Sequence, residues 1–589
     1  MSNSFYDEAS WVLIPEGIKE DVVYAQKPTD GLGDLTFTRA SDATRTNSAG
    51  VIERTPWNFF QDSEMFSTAN WGKLNSSVSA NTTTAPNGTL TADTLVENTA
   101  NSTHIALQIT AGQISGNTYT ASIYAKAAGR SWIGLFNNAG GTGNAFFDLS
   151  NGTVGTVLTG SAQIQSVGNG WYRCSITFVP TTTGTFNIQV RIASADNVPT
   201  YTGNGTSGIF IWGAQIVEGT DAKPYFATTN RQDVPRLDYR NADGTVSTCP
   251  RLLLEPQRTN LVPNGVLFNS LTGVSYDSTV TASPAPGVQN ATRITKNEAA
   301  GNVRYANQNA SATLLAGSSV YTLSRYFKYD GFDFQTTMEY NNAGNWGGVS
   351  WTVPINISST SITIGTPTAC TATIVNMGSG WYRVTATITT GAIPVGFPTY
   401  LMRLPSTLST GQGFLTALPQ LELGAYATTF IPTTTAAVTR IADAASKTGV
   451  SSLIGQTEGT LFVDITLTSR SSFSYFAIAP NLGATNTYIG IGISASSISF
   501  EVVNSGIQVA YSFPNTSTGS FKLAFAYKAN DFVAYVNGAL VHTDTSGTVP
   551  TCSQIGLNAY NNAASWNYNQ AALFPTRLTN AQLAQLTTL

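Results

Sequence analysis

Four short segments of this chain return in the same order about two hundred residues later. Tyr119-Thr-Ala-Ser-Ile-Tyr-Ala-Lys126 returns as Tyr321-Thr-Leu-Ser-Arg-Tyr-Phe-Lys328, and Asn137-Asn-Ala-Gly140 as Asn341-Asn-Ala-Gly344. Gly168-Asn-Gly-Trp-Tyr-Arg173 returns as Gly378-Ser-Gly-Trp-Tyr-Arg383, and Gln215-Ile-Val-Glu-Gly219 as Gln420-Leu-Glu-Leu-Gly424. The offsets are 202, 204, 210 and 205 residues. One such match arises by chance. Four in order mark a duplicated domain, running about 57–228 and 258–435, and the fold must be built twice from one plan.

That plan is β. In Trp171-Tyr-Arg-Cys-Ser-Ile-Thr-Phe178, Tyr172, Cys174, Ile176 and Phe178 share one face, and Trp171, Arg173, Ser175 and Thr177 share the other. Alternation with period two is the signature of a half-buried strand. Trp381–Ile388 repeats it, with Tyr382, Val384, Ala386 and Ile388 inward. The Gly-x-Gly before each is a turn that delivers the strand. Further short alternating runs between Gly, Asn, Thr and Pro predict an antiparallel sandwich or jelly roll.

Beyond about residue 446 the repeat stops and alternation continues, in Leu461–Leu467 and Phe521–Tyr527. Phe532-Val-Ala-Tyr-Val536 runs into Asn537-Gly538, the strongest short-range hairpin signal, with Ala539–His542 as the returning strand. Thr579-Asn-Ala-Gln582 has the spacing of a capping box for a short helix carrying Leu583 and Leu586. The expected layout is all-β: a connector at 1–56, an inserted jelly-roll module at 57–228, a second connector at 229–257, a second module at 258–445 and a third sandwich at 446–589. The two connectors are expected to pack together as one unit.

Charged residues are 11% of the chain, well under the usual quarter. Thr, Ser, Asn and Gly take their place and suit exposed strand faces and turns. Aromatic residues, also 11%, argue against disorder. The net charge is −4, and no Lys/Arg cluster could neutralise a row of phosphates, so nucleic acid is not an expected partner. No run of ~18 apolar residues exists to span a membrane. The N-terminus, Met1-Ser-Asn-Ser-Phe-Tyr-Asp-Glu8, is polar and acidic and lacks the layout of a secretion signal. Cys174, Cys249, Cys370 and Cys552 are far apart, without metal-ligand spacing. Cys174 reads as a small buried thiol, with a disulfide as the alternative.

The connectors carry a resemblance. Thr36-Phe-Thr-Arg-Ala-Ser-Asp-Ala-Thr-Arg45 with Asn47–Glu53, and Val234-Pro-Arg-Leu-Asp-Tyr239 with Cys249-Pro-Arg-Leu-Leu-Leu-Glu-Pro-Gln-Arg-Thr-Asn-Leu261, resemble consecutive blocks of bacteriophage virion proteins. The first repeat then resembles a domain inserted between them. The repeats resemble carbohydrate-binding jelly rolls of the galactose-binding-like kind, with Ala437-Val-Thr-Arg-Ile-Ala-Asp443 as the exit. The C-terminal region is similar to concanavalin A-like or laminin-G-like domains through Tyr535-Val-Asn-Gly538 and Leu573-Phe-Pro-Thr-Arg577. The resemblance implies a head fibre, head spike or tail fibre subunit in a virion. Its implied partners are capsid or tail proteins and host or mucosal glycans, and by analogy it is a homotrimer. The apolar run Trp11–Ile14 is a candidate anchoring contact, with a plain core strand as the alternative.

Catalytic chemistry has little to work with. There are two histidines, His104 and His542, both reading as ordinary strand or loop residues. No HExxH and no phosphate loop occurs, so no metal or cofactor is expected. Glycoside hydrolysis needs two carboxylates, but Glu458, Asp464, Glu501, Asp531 and Asp544 do not fall along one strand. Binding is the better use of such surfaces: aromatic faces stack on sugar rings and amides pair with hydroxyls. Two segments combine these types and supply the candidate ligand residues: Tyr340, Asn345 and Trp346 in one, Tyr560, Asn561, Trp566 and Tyr568 in the other. The alternative is that Trp346, Trp566 and Tyr568 pack as core at strand ends. A non-catalytic adhesive subunit is the expectation. A polysaccharide-degrading enzyme with binding modules and a bacterial surface adhesin are the competing readings.

Overall fold

The computed structural model describes residues 3–55, 58–138, 142–241, 243–263, 273–280, 282–286, 288–309, 315–340, 346–392, 399–433, 435–468, 470, 473–560 and 565–588. The chain forms two compact units, Pro56–Arg231 and Met1–Thr55 with Gln232–Leu589.

The first unit is a sandwich of two antiparallel sheets. One runs Ser161–Gly168, Trp171–Phe178, Tyr119–Ala128, Gly208–Glu218, Ala92–Glu97, Ser76–Thr83. The other runs Thr153–Thr159, Asn144–Asp148, Trp132–Asn137, Gly184–Ala193, Asn101–Gln113, with Gly72–Leu74 and Thr200–Thr202 added on the last strand. Ile123, Ile133, Leu135, Cys174, Ile176, Ile188 and Val190 fill the space between, each at most 1% exposed. Cys174 is a buried free thiol.

The second repeat has the same strand order. Its first sheet is Thr371–Gly378, Trp381–Thr389, Val320–Tyr329, Gly413–Leu423, Ala291–Lys296, Val274–Val280. The facing sheet is Ile362–Ile364, Trp351–Ile357, Phe334–Tyr340, Thr399–Leu404, Arg304–Asn309. Even the irregularities coincide: register shifts fall between Ser122 and Tyr124 in one repeat and Ser324 and Tyr326 in the other. Trp171 and Trp381 are both 2% exposed at the head of equivalent strands.

The remaining sandwich corrects one expected boundary. Its eight-stranded sheet takes Arg236–Arg240 and Val246–Leu254 onto Trp566–Phe574, followed by Glu458–Leu467, Gly519–Lys528, Phe532–Val536 and Ala539–Asp544. Trp11–Leu13 pairs with the same Trp566–Phe574 strand. The nine-stranded sheet begins with Ile18–Lys19, Val22–Val23 and Leu35–Thr38. It continues through Ala444–Thr448, Gln554–Ala559, Ser474–Ala479, Thr487–Ile493, Ser497–Asn504 and Ile507–Pro514. The sandwich expected from 446–589 alone is therefore completed by strands from both connectors, which pair edges whose N–H and C=O groups would otherwise lack partners. Trp11, Val12 and Leu13 are fully buried, so this run is a core strand and offers no side chain for anchoring. The Asn537-Gly538 hairpin forms with both residues at positive φ (48° and 82°), as its turn type demands. Asn580–Thr587 is a helix, and Thr579 and Gln582 close the capping box.

The connectors also touch each other. Arg39 Nη2 donates to Val234 O (2.7 Å), Arg45 Nη1 to Leu237 O (3.0 Å), and Thr46 N to Asp238 Oδ1 (2.6 Å). At their centre is a buried ionic node. Arg39 and Arg236 both pair with Asp443, and Arg236 (2.7 Å) and Arg440 (2.8 Å) with Glu255. All five side chains are at most 4% exposed. Burial works against charge on Glu255, but Arg440 and Arg236 with the hydrogen bonds from Thr429 outweigh it and hold the carboxyl at about 2. Removing one member of such a node strands the others and costs about 3–5 kcal/mol. The two connector segments thus meet in one piece of scaffold.

Candidate functional site

Four of the expected ligand residues lie in cores. Trp346 is fully buried and packs edge-on to Trp351 (centroids 5.6 Å), with Tyr340, 3% exposed, at 6.3 Å. Trp566 and Tyr568 are fully buried on the inward face of Trp566–Phe574, stacked at 5.4 Å. Tyr568 Oη accepts from Asn558 N and donates to Asn558 Oδ1. Their ring faces are taken by protein, so a stacking role for these four is corrected to core packing: the strand begins at Trp566, and alternation turns both rings inward. Asn345 and Asn561 lie outside the described residues. Tyr560 alone stands half-open at the surface.

Tyr560 leads to the site. On Ser474–Ala479, Phe476 and Ile478 face the core, so Tyr475, Ala477 and Ala479 face out. On Thr487–Ile493, Ile489 and Ile491 face in, and Tyr488, Gly490 and Gly492 face out. The glycines leave the floor bare. A Cβ on Gly492 would lie 2.4 Å from Tyr475 Cε1, and one on Gly490 3.1 Å from Tyr475 Cδ1, so the Tyr475 ring lies flat across them. Tyr488 and Tyr560 lean on each other with centroids at 4.9 Å, and Phe473, 42% exposed, stacks on Tyr475 at 6.0 Å and 13°.

Glu501, outward on Ser497–Asn504, lies among these rings. Tyr475 Oη is 3.1 Å from both carboxylate oxygens, and Tyr488 Oη donates to Oε2. Among the described residues no arginine or lysine pairs with Glu501. Burial, then the neighbouring carboxylate, pushes the Tyr475 phenol pKa up; burial and the bond to Glu501 do the same at Tyr488. Burial pushes Tyr560 up to about 12. The phenols therefore stay protonated, as donors, at any neutral pH. The Tyr560 hydroxyl is buried and without a partner among the described residues, although its ring is partly open. The result is a small aromatic cluster around the half-buried Glu501 carboxylate, in which Tyr475 (8%) and Tyr488 (7%) are nearly covered, Phe473 is open and Tyr560 partly open.

The other carboxylates weighed for hydrolysis are engaged elsewhere. Glu458 pairs with Lys528 (3.2 Å), Asp531 with Arg577 (2.8 Å), Asp464 accepts from Asn569 Nδ2 (2.6 Å), and Asp544 accepts from Ser546 in a turn. His104 is buried with Nδ1 2.7 Å from Asn75 O, and His542 stacks on Tyr511 at 4.3 Å. Among the described residues no group of three or more His, Cys, Asp or Glu converges as a metal site would require, and no helix is long and apolar enough to cross a membrane. A pocket of ≈ 120 Å³ opens near Asp238, Arg240, Arg383 and Asn567. That is room for a few waters, and Asn567 Oδ1, without a partner among the described residues, suits one.

Sequence reasoning weighed Glu501 only as half of a catalytic pair and passed over Tyr475 and Tyr488. The signal was present in Gly490-Ile-Gly492: glycine at outward strand positions marks a surface that another side chain crosses.

No protein-family model and no curated protein matches the chain. Among solved structures it is similar to the CBM40 of the Ruminococcus gnavus IT-sialidase bound to alpha2,3 sialyllactose, at a TM-score of 0.21 and 14% identity, over 23% of this chain and 84% of that one. It is also similar to the CBM22 tandem of Paenibacillus barcinonensis Xyn10C, at a TM-score of 0.17 and 10% identity, over 63% and 97%. Domains LG4-5 of the mouse laminin alpha1 chain match at a TM-score of 0.16 and 11% identity, over 53% and 90%.

Proposed function

We propose that the chain is a non-catalytic, saccharide-binding protein that serves as a structural and adhesive subunit of a bacteriophage virion, in a head fibre, head spike or tail fibre. The binding reading rests on Glu501. A half-buried carboxylate with two phenol donors and, among the described residues, no paired cation still has acceptor capacity, and aromatic rings lie beside it. A neutral sugar offers the complement: hydroxyl donors for the carboxylate and an apolar C–H face for the rings. The non-catalytic reading is supported by the structural engagement of the other carboxylates. The virion reading is supported by the resemblance of the segments around Arg39, Arg236, Glu255 and Asp443 to phage proteins. A homotrimer would triple a weak sugar site and gain avidity without new contacts.

The test of binding is a glycan array probed with the full chain and with Glu501→Gln. A hydrogen bond to a charged group contributes about 1.5–3 kcal/mol, so the variant is expected to bind neutral glycans at least ~10-fold more weakly with its fold intact. Equal binding by the two would sink the assignment. Mass measurement of the native assembly decides the trimer, and labelling of the chain on intact particles decides its place in a virion.

A further inference from the structure

The inserted module carries a second feature of a different chemistry. On its sheet of Trp132–Asn137 and Gly184–Ala193, the inward residues are Ile133, Leu135, Ile188, Val190 and Ile192. The outward face holds Trp132, Phe136, Phe146, Gln189 and Arg191, centred on Gly134, which pairs with both Arg191 and Phe146. A Cβ on Gly134 would lie 2.7 Å from Phe136 and 3.2 Å from Phe146, so the two rings close over the glycine, edge to face at 5.3 Å. The Arg191 guanidinium lies 3.9 Å from the Phe136 ring centroid and caps the pile.

Arg191 makes only neutral bonds. Its Nε and Nη2 donate to Gln189 Oε1 (2.9 and 2.6 Å), and Nη2 reaches Asn138 Oδ1 at 3.4 Å. Among the described residues no carboxylate pairs with it. The acids on this side are occupied: Asp148 accepts from Ser150 and Asn151, and Asp196 from Thr156. Burial lowers the Arg191 pKa with no compensating anion. A half-buried charge of this kind is ordinarily paired. In the second repeat, alignment of the inward residues Ile133 and Leu135 with Thr336 and Met338 puts Glu339 in the place of Phe136 and Thr337 in the place of Gly134. There Thr337 donates to Glu339. The Phe136–Phe146 pair capped by Arg191 is therefore not repeated at the equivalent place of the second module.

We propose that this face of the inserted module binds an acidic saccharide, with Arg191, backed by the buried Phe136 ring, receiving the sugar carboxylate and the half-buried Trp132 bordering its apolar face. A planar guanidinium backed by a ring matches a carboxylate with two parallel donors, which a lysine cannot do. The proposal shares with the reading above only the premise that the chain binds sugars; site, module and ligand charge differ.

The test is retention of the full chain by polygalacturonate, against neutral dextran and the non-saccharide polyanion polyglutamate, for wild type, Arg191→Gln, Arg191→Lys and the second-repeat control Arg403→Gln. Wild type and Arg403→Gln are expected to prefer polygalacturonate to both others. Arg191→Gln should lose at least ~10-fold, and Arg191→Lys should recover only part, with unchanged melting in each. Wild-type strength in Arg191→Gln overturns the proposal, as does retention by polyglutamate equal to that by polygalacturonate, or no preference over dextran. Array binding of neutral glycans by Arg191→Gln is read in parallel. Its persistence with loss of polygalacturonate supports both sites, and loss of neutral binding in wild type with retained polygalacturonate binding removes the Glu501 site while leaving this one.

Discussion

In the inserted repeat the long central strand Gly208–Glu218 passes through a left-handed bulge at Gly213 (φ 62°). In the second repeat the equivalent bulge in Gly413–Leu423 falls on Leu418 (φ 48°), a residue for which that conformation is strained. The bulge survives both residues because the same clamp holds it. Asn58 donates to Ala214 O and accepts from Ile216 N (2.9 Å) and Phe60 N (3.0 Å). Asn260 donates to Pro419 O (3.1 Å) and accepts from Leu421 N (3.2 Å) and Val262 N (3.0 Å). Gln215 and Gln420 hold the exit segment alike, accepting from Phe226 N and Ile431 N. Arg173 and Arg383 both bond a serine and sit over a tyrosine. The duplicated part is a polar framework on one sheet. The faces of the other sheet, where Phe136 and Glu339 occupy equivalent places, are free to differ, and that is where ligand chemistry can change without cost to the fold.

The largest expected effect breaks the shared clamp. Asn58→Ala and Asn260→Ala each leave at least three buried backbone groups unmet, at about 1–3 kcal/mol apiece, so each repeat should lose about 4 kcal/mol. Hydrogen exchange resolved by region would show opening confined to 58–231 in the first case and to 258–433 in the second. Loss of under about 1 kcal/mol in either would mean the framework is not shared.

Exchanging the bulge residues comes next. Gly213→Leu puts a Cβ 2.9 Å from Tyr124 and 3.3 Å from Tyr225, and overpacking of this kind costs about 1–3 kcal/mol, with left-handed strain added. Leu418→Gly relieves about 1 kcal/mol of strain but vacates a fully buried site worth about 2–5 kcal/mol. Both should destabilise, by about 2–3 kcal/mol on denaturant titration. Stabilisation by Leu418→Gly would show that the leucine is tolerated and not used.

The legible parts of the sequence were those with local or repeated signals. The duplication, the Asn537-Gly538 hairpin and the Thr579–Gln582 capping box each sit within a few residues or recur at a fixed offset. Pairings such as Trp11 with Leu573 join distant segments and leave no local pattern, so the weaving of both connectors into the C-terminal sandwich could not be read. Trp346, Trp566 and Tyr568 failed as ligand residues for another reason: an aromatic beside asparagines looks the same at a loop and at the start of a strand. Tyr475, Tyr488 and Glu501 come from three strands and meet only in the sheet.

A smaller effect separates the repeats by pH. The second repeat buries Glu422, accepting from Thr428 N (3.0 Å) and Gln420 Nε2 (2.7 Å), where the first has Val217. Burial outweighs the hydrogen bonds from Thr428 and raises the Glu422 pKa. An acid with a raised folded pKa favours folding fully below its unfolded pKa, and that contribution is lost as pH rises through the folded value. Glu422→Gln should therefore raise the melting temperature at pH 7, by roughly 2 °C, and give no gain at pH 4. A gain of equal size at both pH values would contradict the assignment.

The most direct test of the account is hydrogen exchange of the full chain with and without the strongest neutral glycan from the array. Slowed exchange should appear in 473–479, 487–493 and 497–504 and at Tyr560, with the outward strands 334–340 and 351–357 of the second repeat unchanged. Protection in the second repeat instead, or binding without any change around Glu501, would contradict it.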